Sequence, residues 1–285
     1  MTTPSNPGQL MSLSVVVAAR NCEERIEGAL RPWLAIAKEV IVVDQMSEDS
    51  TAAIARKLGA TVYEKNPPNG NFDLNRKFGL ESATSEWLLY IDTDERPTPE
   101  LLSELKAFLS DPRSSRFSGV KIPNSFYFVG APLRYGLYSP KSSEIRLFRT
   151  GTWDYPCEKG YHRGVSVQGL VHVFRNGYLH FNVNSLSEWF QKTDQYTEFD
   201  ASNGGQDGEF RSVFSTIYRA FRFFLRHYFW KQGYRDGTRG FISIFYFSLY
   251  HVTLDFKRWE KRVLSSAVPE RDFLPSPKMK RRVNA

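Results

Sequence analysis

The chain has 285 residues, 41% hydrophobic and 24% charged, with a net charge of +7. That length holds one large domain, or one domain with an appendage, and gives ample material for a core. Its only two cysteines, Cys22 and Cys157, lie far apart without metal-site spacing, which speaks against a disulfide framework and suits a reducing compartment. Residues 1–11 read as a disordered polar tail, lacking the basic start and long apolar core of a signal peptide. A short apolar strand, Leu13 to Ala18, ends at Ala19-Arg20-Asn21. The segment from Cys22 to Ala37 is helical in character, with Ile26, Leu30, Trp33 and Leu34 spaced by threes and fours. A second buried strand, Val40 to Val43, stops at Asp44. Ser47-Glu48-Asp49-Ser50 can cap a helix from Thr51 to Leu58, which Gly59 ends. Thr61 to Glu64 is a third strand, Asn66 to Asn71 a loop, and Leu74 to Ala83 another helix. Trp87 to Ile91 is a continuous apolar strand that stops abruptly at Asp92-Thr93-Asp94-Glu95. Thr98 is placed to cap the helix that follows.

This alternation predicts a mainly parallel sheet flanked by helices, and such sheets bind ligands beyond the carboxyl ends of their strands. Asp44 and Asp92 both stand at those ends. Neither G-x-G-x-x-G after the first strand nor G-x-x-x-x-G-K-[ST] occurs, which disfavours a dinucleotide oxidoreductase or a P-loop enzyme. Without a glycine cradle, a diphosphate must be held by side chains and a metal, and Arg20, Arg76 and Lys77 are suitable cations. Three carboxylates crowded at the mouth of a buried strand repel one another, and a hard divalent cation would offset them. The bland alternative is a solvated strand-to-helix turn.

The segments SVVVAARNCEERIEGAL, EVIVVDQMSEDST, NRKFGLESATSEWLLYIDTDERPTPEL and EIRLFRTGTWDY together resemble family 2 glycosyltransferases of the GT-A fold. They look closest to the branch containing lipopolysaccharide core β-1,4-glucosyltransferases. The match is strong over residues 12 to 110 and looser over 120 to 260. The resemblance implies an inverting transfer of a sugar, UDP-glucose by default, from a nucleotide diphosphate donor to a glycan or glycolipid acceptor, with Mg²⁺ or Mn²⁺. Ala18, Arg20 and Asp44 then stand where the family holds base and ribose, although Gln45-Met46 departs from the usual small polar continuation. Asp44 can equally start an Asx turn. Arg76 matches a family cation near the phosphates, while Lys77 replaces the usual Asn. Asp92 and Asp94 align with the D-x-D, Asp94 as metal ligand and Asp92 on ribose or metal-bound water; His180 can complete the shell or be structural. The family's His-Glu pair is here His162-Arg163, and arginine cannot be the base. Glu158 is therefore the first candidate to take the acceptor proton, then Asp154 and His162. Alternation in the Arg146 to Arg149 run suggests an edge strand with Arg146 opposite either Leu147 or Phe148, in acceptor binding or in packing.

Charge is uneven. Residues 211 to 285 hold 16 Lys and Arg against 5 Asp and Glu, a net of +11, leaving −4 elsewhere. Aromatics interleave these cations, with Ile217, Phe221, Phe224, Leu225 and Tyr228 at helical spacing. The apolar run from Phe241 to Phe256 is shorter than the ~20 residues of a membrane span. Two amphipathic helices on an anionic membrane surface fit this composition, and packing on protein is the alternative. No nucleic-acid module accompanies the basic surface. The expected organisation is a catalytic domain over 12–205 (donor half 12–110, acceptor half 111–205), a helical extension over 206–265 and a basic flexible tail over 266–285, peripheral on the cytoplasmic face of a membrane. The rival functions are a degenerate glycan-binding or membrane scaffold, motivated by Arg163 and Gln45-Met46, and a nucleotidyltransferase, whose glycine- and lysine-rich loop AARNCEER does not supply.

Overall fold

A computed structural model describes residues 11–66, 71–138, 143–157, 164–203, 210 and 212–266. The predicted alternation is present as β1 (Met11–Ala19), α1 (Glu23–Leu34), β2 (Ala37–Asp44), α2 (Thr51–Lys57), β3 (Thr61–Glu64), α3 (Phe72–Ser82) and β4 (Trp87–Ile91). Next come β5 (Glu95–Pro97), α4 (Pro99–Ser110), β6 (Phe117–Phe128), β7 (Ala131–Pro132) and β8 (Ser143–Arg149). The short strands β9 (Trp153–Asp154) and β10 (Ser166–Val167) pair with each other, and β11 (Leu170–Val173) and β12 (Tyr178–Val183) follow. Three helices close the described chain: α5 (Leu186–Asn203), α6 (Val213–Leu225) and α7 (Gly237–Ser266).

The sheet runs β3-β2-β1-β4-β8-β6-β12-β5. Its first four strands are parallel, as the βαβ pattern requires. Beyond β4 it is mixed: β8 lies antiparallel to both neighbours, and β12 is parallel to β6 but antiparallel to β5. The Arg146 to Arg149 run is therefore not an edge strand. It lies between β4 and β6, with Leu147 and Phe148 fully buried and Arg146 6% exposed. A buried arginine mimics, in the sequence, the solvent-facing position of an edge strand.

Strand alternation sorts the core onto two faces. Val15, Val17, Leu89 and Leu147 pack with α1 and α4, while Val16, Leu88, Tyr90 and Phe148 pack with α3. Arg146 is two residues from Phe148 and shares its face, so Leu147 is the residue opposite it. On the α3 side Gly79 lets helix and sheet approach closely. A Cβ there would stand 2.6 Å from Val16 Cγ1 and 2.9 Å from Val43 Cγ2.

The last three helices form one layer. Trp189 of α5 packs on Tyr246 of α7 with ring centroids 4.9 Å apart, and Lys257 reaches Asp194 at 2.6 Å. The expected amphipathic helices are present as α6 and α7, and α6 carries part of its aromatic face outward. It buries Thr216 and Ala220, while Phe214, Ile217, Tyr218 and Phe221 face solvent, Phe214 at 82% exposure. Buried Asp255 of α7 accounts for this, accepting from Thr216 Oγ1 at 2.7 Å and pairing with Arg219. Among the described residues no helix is long and apolar enough to cross a membrane.

Candidate active site

The strand ends that carry Asp44 and Asp92 are organised differently. Asp44 is buried and accepts from Ser47 N at 2.9 Å and Ser47 Oγ at 2.6 Å, a local turn that places Met46 at φ +57°. Ser47 Oγ in turn accepts from Asn21 N at 2.9 Å, which ties together the loops after β1 and β2. Ala18 is half-buried and Arg20 exposed beside this tie. The Asx turn at Asp44 is thus present, next to the residues aligned with base and ribose contacts.

At the end of β4 the charges are drawn together, Arg146 and Glu95 buried and Arg76, Asp92 and Asp94 half-buried. Arg76 pairs through Nη2 with Asp92 Oδ1, and its Nη1 reaches Asp73 Oδ1 at 3.1 Å and Tyr155 Oη at 3.2 Å. Arg76 sits on α3 one turn before Gly79, so the close helix–sheet approach sets its reach. Lys77, the next residue, points about 100° further round the helix. Asp92 Oδ2 faces Arg146 Nη1 at 3.5 Å, so both oxygens of this carboxylate meet guanidiniums. Arg146 also binds Glu95 through Nη2 at 2.9 Å, and Glu95 Oε2 accepts from Asp92 N at 2.9 Å. Tyr90 lies beneath both arginines, its ring centre 4.9 Å from Arg76 Cζ and 4.6 Å from Arg146 Cζ. Antiparallel β8 makes this possible: Leu147 stands opposite Leu89, so Arg146 falls beside Tyr90 at the strand end where Asp92 follows.

Asp94 turns the other way, toward β12. His180 stands opposite Glu95 in the β5–β12 pairing, and Phe181 N donates to Asp94 O at 2.8 Å. His180 Nε2 lies 3.3 Å from Asp94 Oδ1, while Lys192 Nζ of α5 lies 3.4 Å from Asp94 Oδ2.

These contacts fix the ionisation of the cluster. Burial alone would raise the Asp92 carboxyl, but the Arg76 and Arg146 charges outweigh it and hold Asp92 well below the usual carboxylate range. Burial also opposes the Asp94 charge, which the His180 hydrogen bond favours enough to lower that carboxyl. Burial lowers the His180 imidazole less than Asp94 raises it, so its pKa lies above the ordinary histidine value. Glu95, fully buried and beside Asp92, is pushed up by burial, with Arg146 offsetting only part of the cost. Two donors remain unanswered: Arg76 Nε and His180 Nδ1 are buried without a hydrogen-bond partner. A buried guanidinium N–H without an acceptor is where an anionic ligand gains most.

The structure thus brings together Asp92, Asp94, His180 and Arg76 from the residues the sequence singled out, and it adds Arg146, Tyr155 and Lys192. The unusual feature of Arg146 in the sequence is a basic residue at the start of an apolar strand; nothing there reveals the strand's antiparallel direction. Asp154 is exposed on β9, and its neighbour Tyr155 takes the inward position. Glu158, His162 and Arg163 lie outside the described residues. The carbonyl of Cys157, immediately before Glu158, accepts from Asn71 Nδ2 at 3.0 Å at the start of α3. As a test of fit to a divalent cation, the described residues gather no group of three or more His, Cys, Asp or Glu around one point. Asp94 Oδ1 and His180 Nε2 face one another at a separation that two ligands of one small cation keep, given ligand distances of ~2.1 Å. Protein ligands this few suit an ion that shares its shell with substrate phosphates.

The sequence model described as glycosyl transferase family 2 matches residues 14–174, more than half of the chain. A Rickettsia typhi protein described as an uncharacterised glycosyltransferase is 24% identical over 247 residues, covering 84% of each chain. The 4,4'-diaponeurosporenoate glycosyltransferase of Staphylococcus haemolyticus is 29% identical over 131 residues, 44% of this chain and 34% of that one. Among solved structures, S. aureus TarS (1–349) aligns over 90% of this chain and 92% of that one, at 16% identity and a TM-score of 0.45.

Proposed function

This chain belongs to glycosyl transferase family 2, and on that premise we propose that it transfers a sugar from a nucleotide diphosphate donor to a glycan or glycolipid acceptor, with inversion. The observation that carries the proposal is the cluster at the end of β4, where Arg76 keeps one N–H without an acceptor beside carboxylates held in their charged form. Arg76 binds the diphosphate through that N–H, and the loops tied by Asn21, Asp44 and Ser47 take the nucleoside, with Ala18 and Arg20 beside it. Asp94 and His180 would hold Mg²⁺ or Mn²⁺, which when bound neutralises the charge growing on the departing diphosphate. Asp92, occupied by two arginines, holds Arg76 in place. Lys77 offers a second cation from the adjoining face of α3.

An inverting transfer needs a base on the opposite face of the sugar from the leaving group. Glu158 is our candidate, because Cys157 anchors the chain beside α3 immediately before it. His162 and Asp154 are the remaining candidates. UDP-glucose is the default donor, and the product belongs to cell-envelope polysaccharide or lipopolysaccharide synthesis. The acceptor is a glycolipid met at the inner face of a membrane, a reading supported by the aromatic side chains that α6 turns to solvent. Residues 12–205 act as the catalytic domain and 206–265 as the membrane-facing extension.

The test is release of nucleoside diphosphate from a panel of UDP-, GDP- and dTDP-sugars, with Mn²⁺ or with EDTA. The expected result is slow, metal-dependent hydrolysis of one donor, lost in Asp94→Asn. Absence of both turnover and metal-dependent nucleotide binding by calorimetry would sink the proposal.

A further inference from the structure

Where the β6–β7 hairpin meets the turn between α6 and α7, an open cavity of about 430 Å³ is lined by Pro132, Tyr135 and three arginines, Arg134, Arg235 and Arg239. The one carboxylate there, Asp236, is already engaged. It accepts from Arg134 N at 3.0 Å and Tyr135 N at 2.9 Å, so it shapes the loop. Arg235 lies over the Tyr135 ring at 4.3 Å and donates to Gln232 Oε1 at 3.0 Å, while Arg239 Nε donates to Val129 O at 3.2 Å. Among the described residues, none of the three guanidiniums is ion-paired with a carboxylate. Three cations around one committed carboxylate suit an anion with several acceptor oxygens, and the guanidinium fork matches phosphate.

The surroundings say which phosphate. Phe229, Trp230 and Tyr234 on the same turn are exposed, Trp230 at 87%, and Phe214 and Phe221 continue the apolar surface along α6. Arg222, Arg226 and Lys231 are exposed beside them. A site for a small soluble phosphate has no use for these aromatics. An apolar face flanked by cations is complementary to an anionic bilayer, with charges at the headgroups and rings in the acyl boundary. The cavity also connects to the candidate active site. Pro132 pairs with Tyr127, the Tyr127 ring packs on Phe181 at 4.9 Å, and Phe181 N binds Asp94 O.

We propose that the cleft formed by Arg134, Arg235 and Arg239 binds the phosphate of an anionic phospholipid, while the exposed aromatic face of α6 and the turn after it enters the acyl layer. This deepens, and rests on, the reading of a membrane-held acceptor. The full chain is tested by flotation with vesicles of phosphatidylcholine alone or mixed with phosphatidylglycerol. The mixed vesicles should bind on the order of 100-fold more tightly, since each interfacial arginine contributes a factor of about five. The R134Q/R235Q/R239Q variant should lose that preference, and F214S/W230S should lose binding to both vesicle types. In both variants the shift in melting temperature on adding UDP and Mn²⁺ should stay as in the parent chain. Undiminished preference in the triple arginine variant would overturn the proposal, and so would displacement of the protein by free glycerol phosphate. Concentration-dependent dimers, abolished by F214S/W230S and accompanied by no vesicle binding, would assign the face to a second copy and also overturn it. Failure of the glycosyltransferase reading appears separately, as absence of the UDP and Mn²⁺ shift in the parent chain while vesicle binding stands.

Discussion

The sheet from β3 to β4 and the helical layer from α5 to α7 solve the same problem in opposite ways. In the sheet, apolar side chains fill both faces and polarity collects at the strand ends, where Asp44, Asp92 and Asp94 stand. In the helical layer, α6 turns Phe214, Tyr218 and Phe221 outward and buries Thr216 against Asp255. The pattern of apolar residues on a helix tells which of them share a side. Which side faces inward is decided by the neighbour, here one carboxylate on α7.

The comparison breaks most sharply if the buried charges can be removed without loss. Arg146→Ala leaves Glu95 buried without its cation and should destabilise the fold by about 3–5 kcal/mol, read as a lowered denaturant midpoint. Adding Glu95→Gln should recover part of that loss. Next in size, Asp94→Asn should weaken Mn²⁺-dependent UDP binding by on the order of 100-fold, about 2.7 kcal/mol, with little change in melting temperature. A melting temperature that collapsed with it would make Asp94 a structural residue. Gly79→Ala should cost about 1–3 kcal/mol by overpacking, less the ~1 kcal/mol that alanine gains in a helix. Because it lifts α3 and with it Arg76, nucleotide affinity should fall too, by calorimetry. On the helical layer the expectation reverses: Phe214→Ser should change unfolding free energy by no more than about 0.5 kcal/mol, since the ring is in water. A larger loss would mean that the face is covered.

The smallest effect is one of pH. Burial lowers the pKa of His227, with Lys231 and Arg226 adding to it and the Phe223 carbonyl opposing it. His251 meets the same Phe223 ring, and its own pKa is also lowered. The folded state therefore prefers neutral His227. Its contribution is present above the unfolded value of about 6.5 and is lost as pH falls toward the lower folded value. Between about pH 7.5 and about pH 5.5, His227→Gln should lose less melting temperature than the parent chain; the raised pKa of His180 acts in the opposite sense and is common to both. Asp92, held well below the usual carboxylate range by Arg76 and Arg146, stays charged throughout this window.

Much of the first hundred residues was legible in the sequence, because parallel strands buried on both faces are continuous apolar runs with few competing readings. Asp92 and Asp94 were visible as charges at a strand end. Their division of labour was not. It depends on Arg146 and His180, each brought in by pairing between distant strands: β8 beside β4, and β12 beside β5. The direction of β8 leaves no local trace, so a central strand with a buried arginine read as an edge. In the helical layer the elements were legible; which of the two orientations left open for α6 is taken, aromatics outward or packed on protein, depends on a partner 36 or more residues further along.

Arg146 has a consequence for how the protein is made. During synthesis, β1 to β5 leave the ribosome well before β8, so Asp92 and Glu95 exist for a time without their shared cation. A nascent chain that stops short of residue 146 holds two adjacent carboxylates in a place that water is meant to leave, and it cannot close that end of the sheet. β8 does not finish the sheet, because β5 and β6 are joined only when β12 follows, so the arginine arrives before the last strand that encloses it. In the finished protein Arg146 joins the carboxylates of the early strands to a strand made later, so one side chain links the two halves of the sheet.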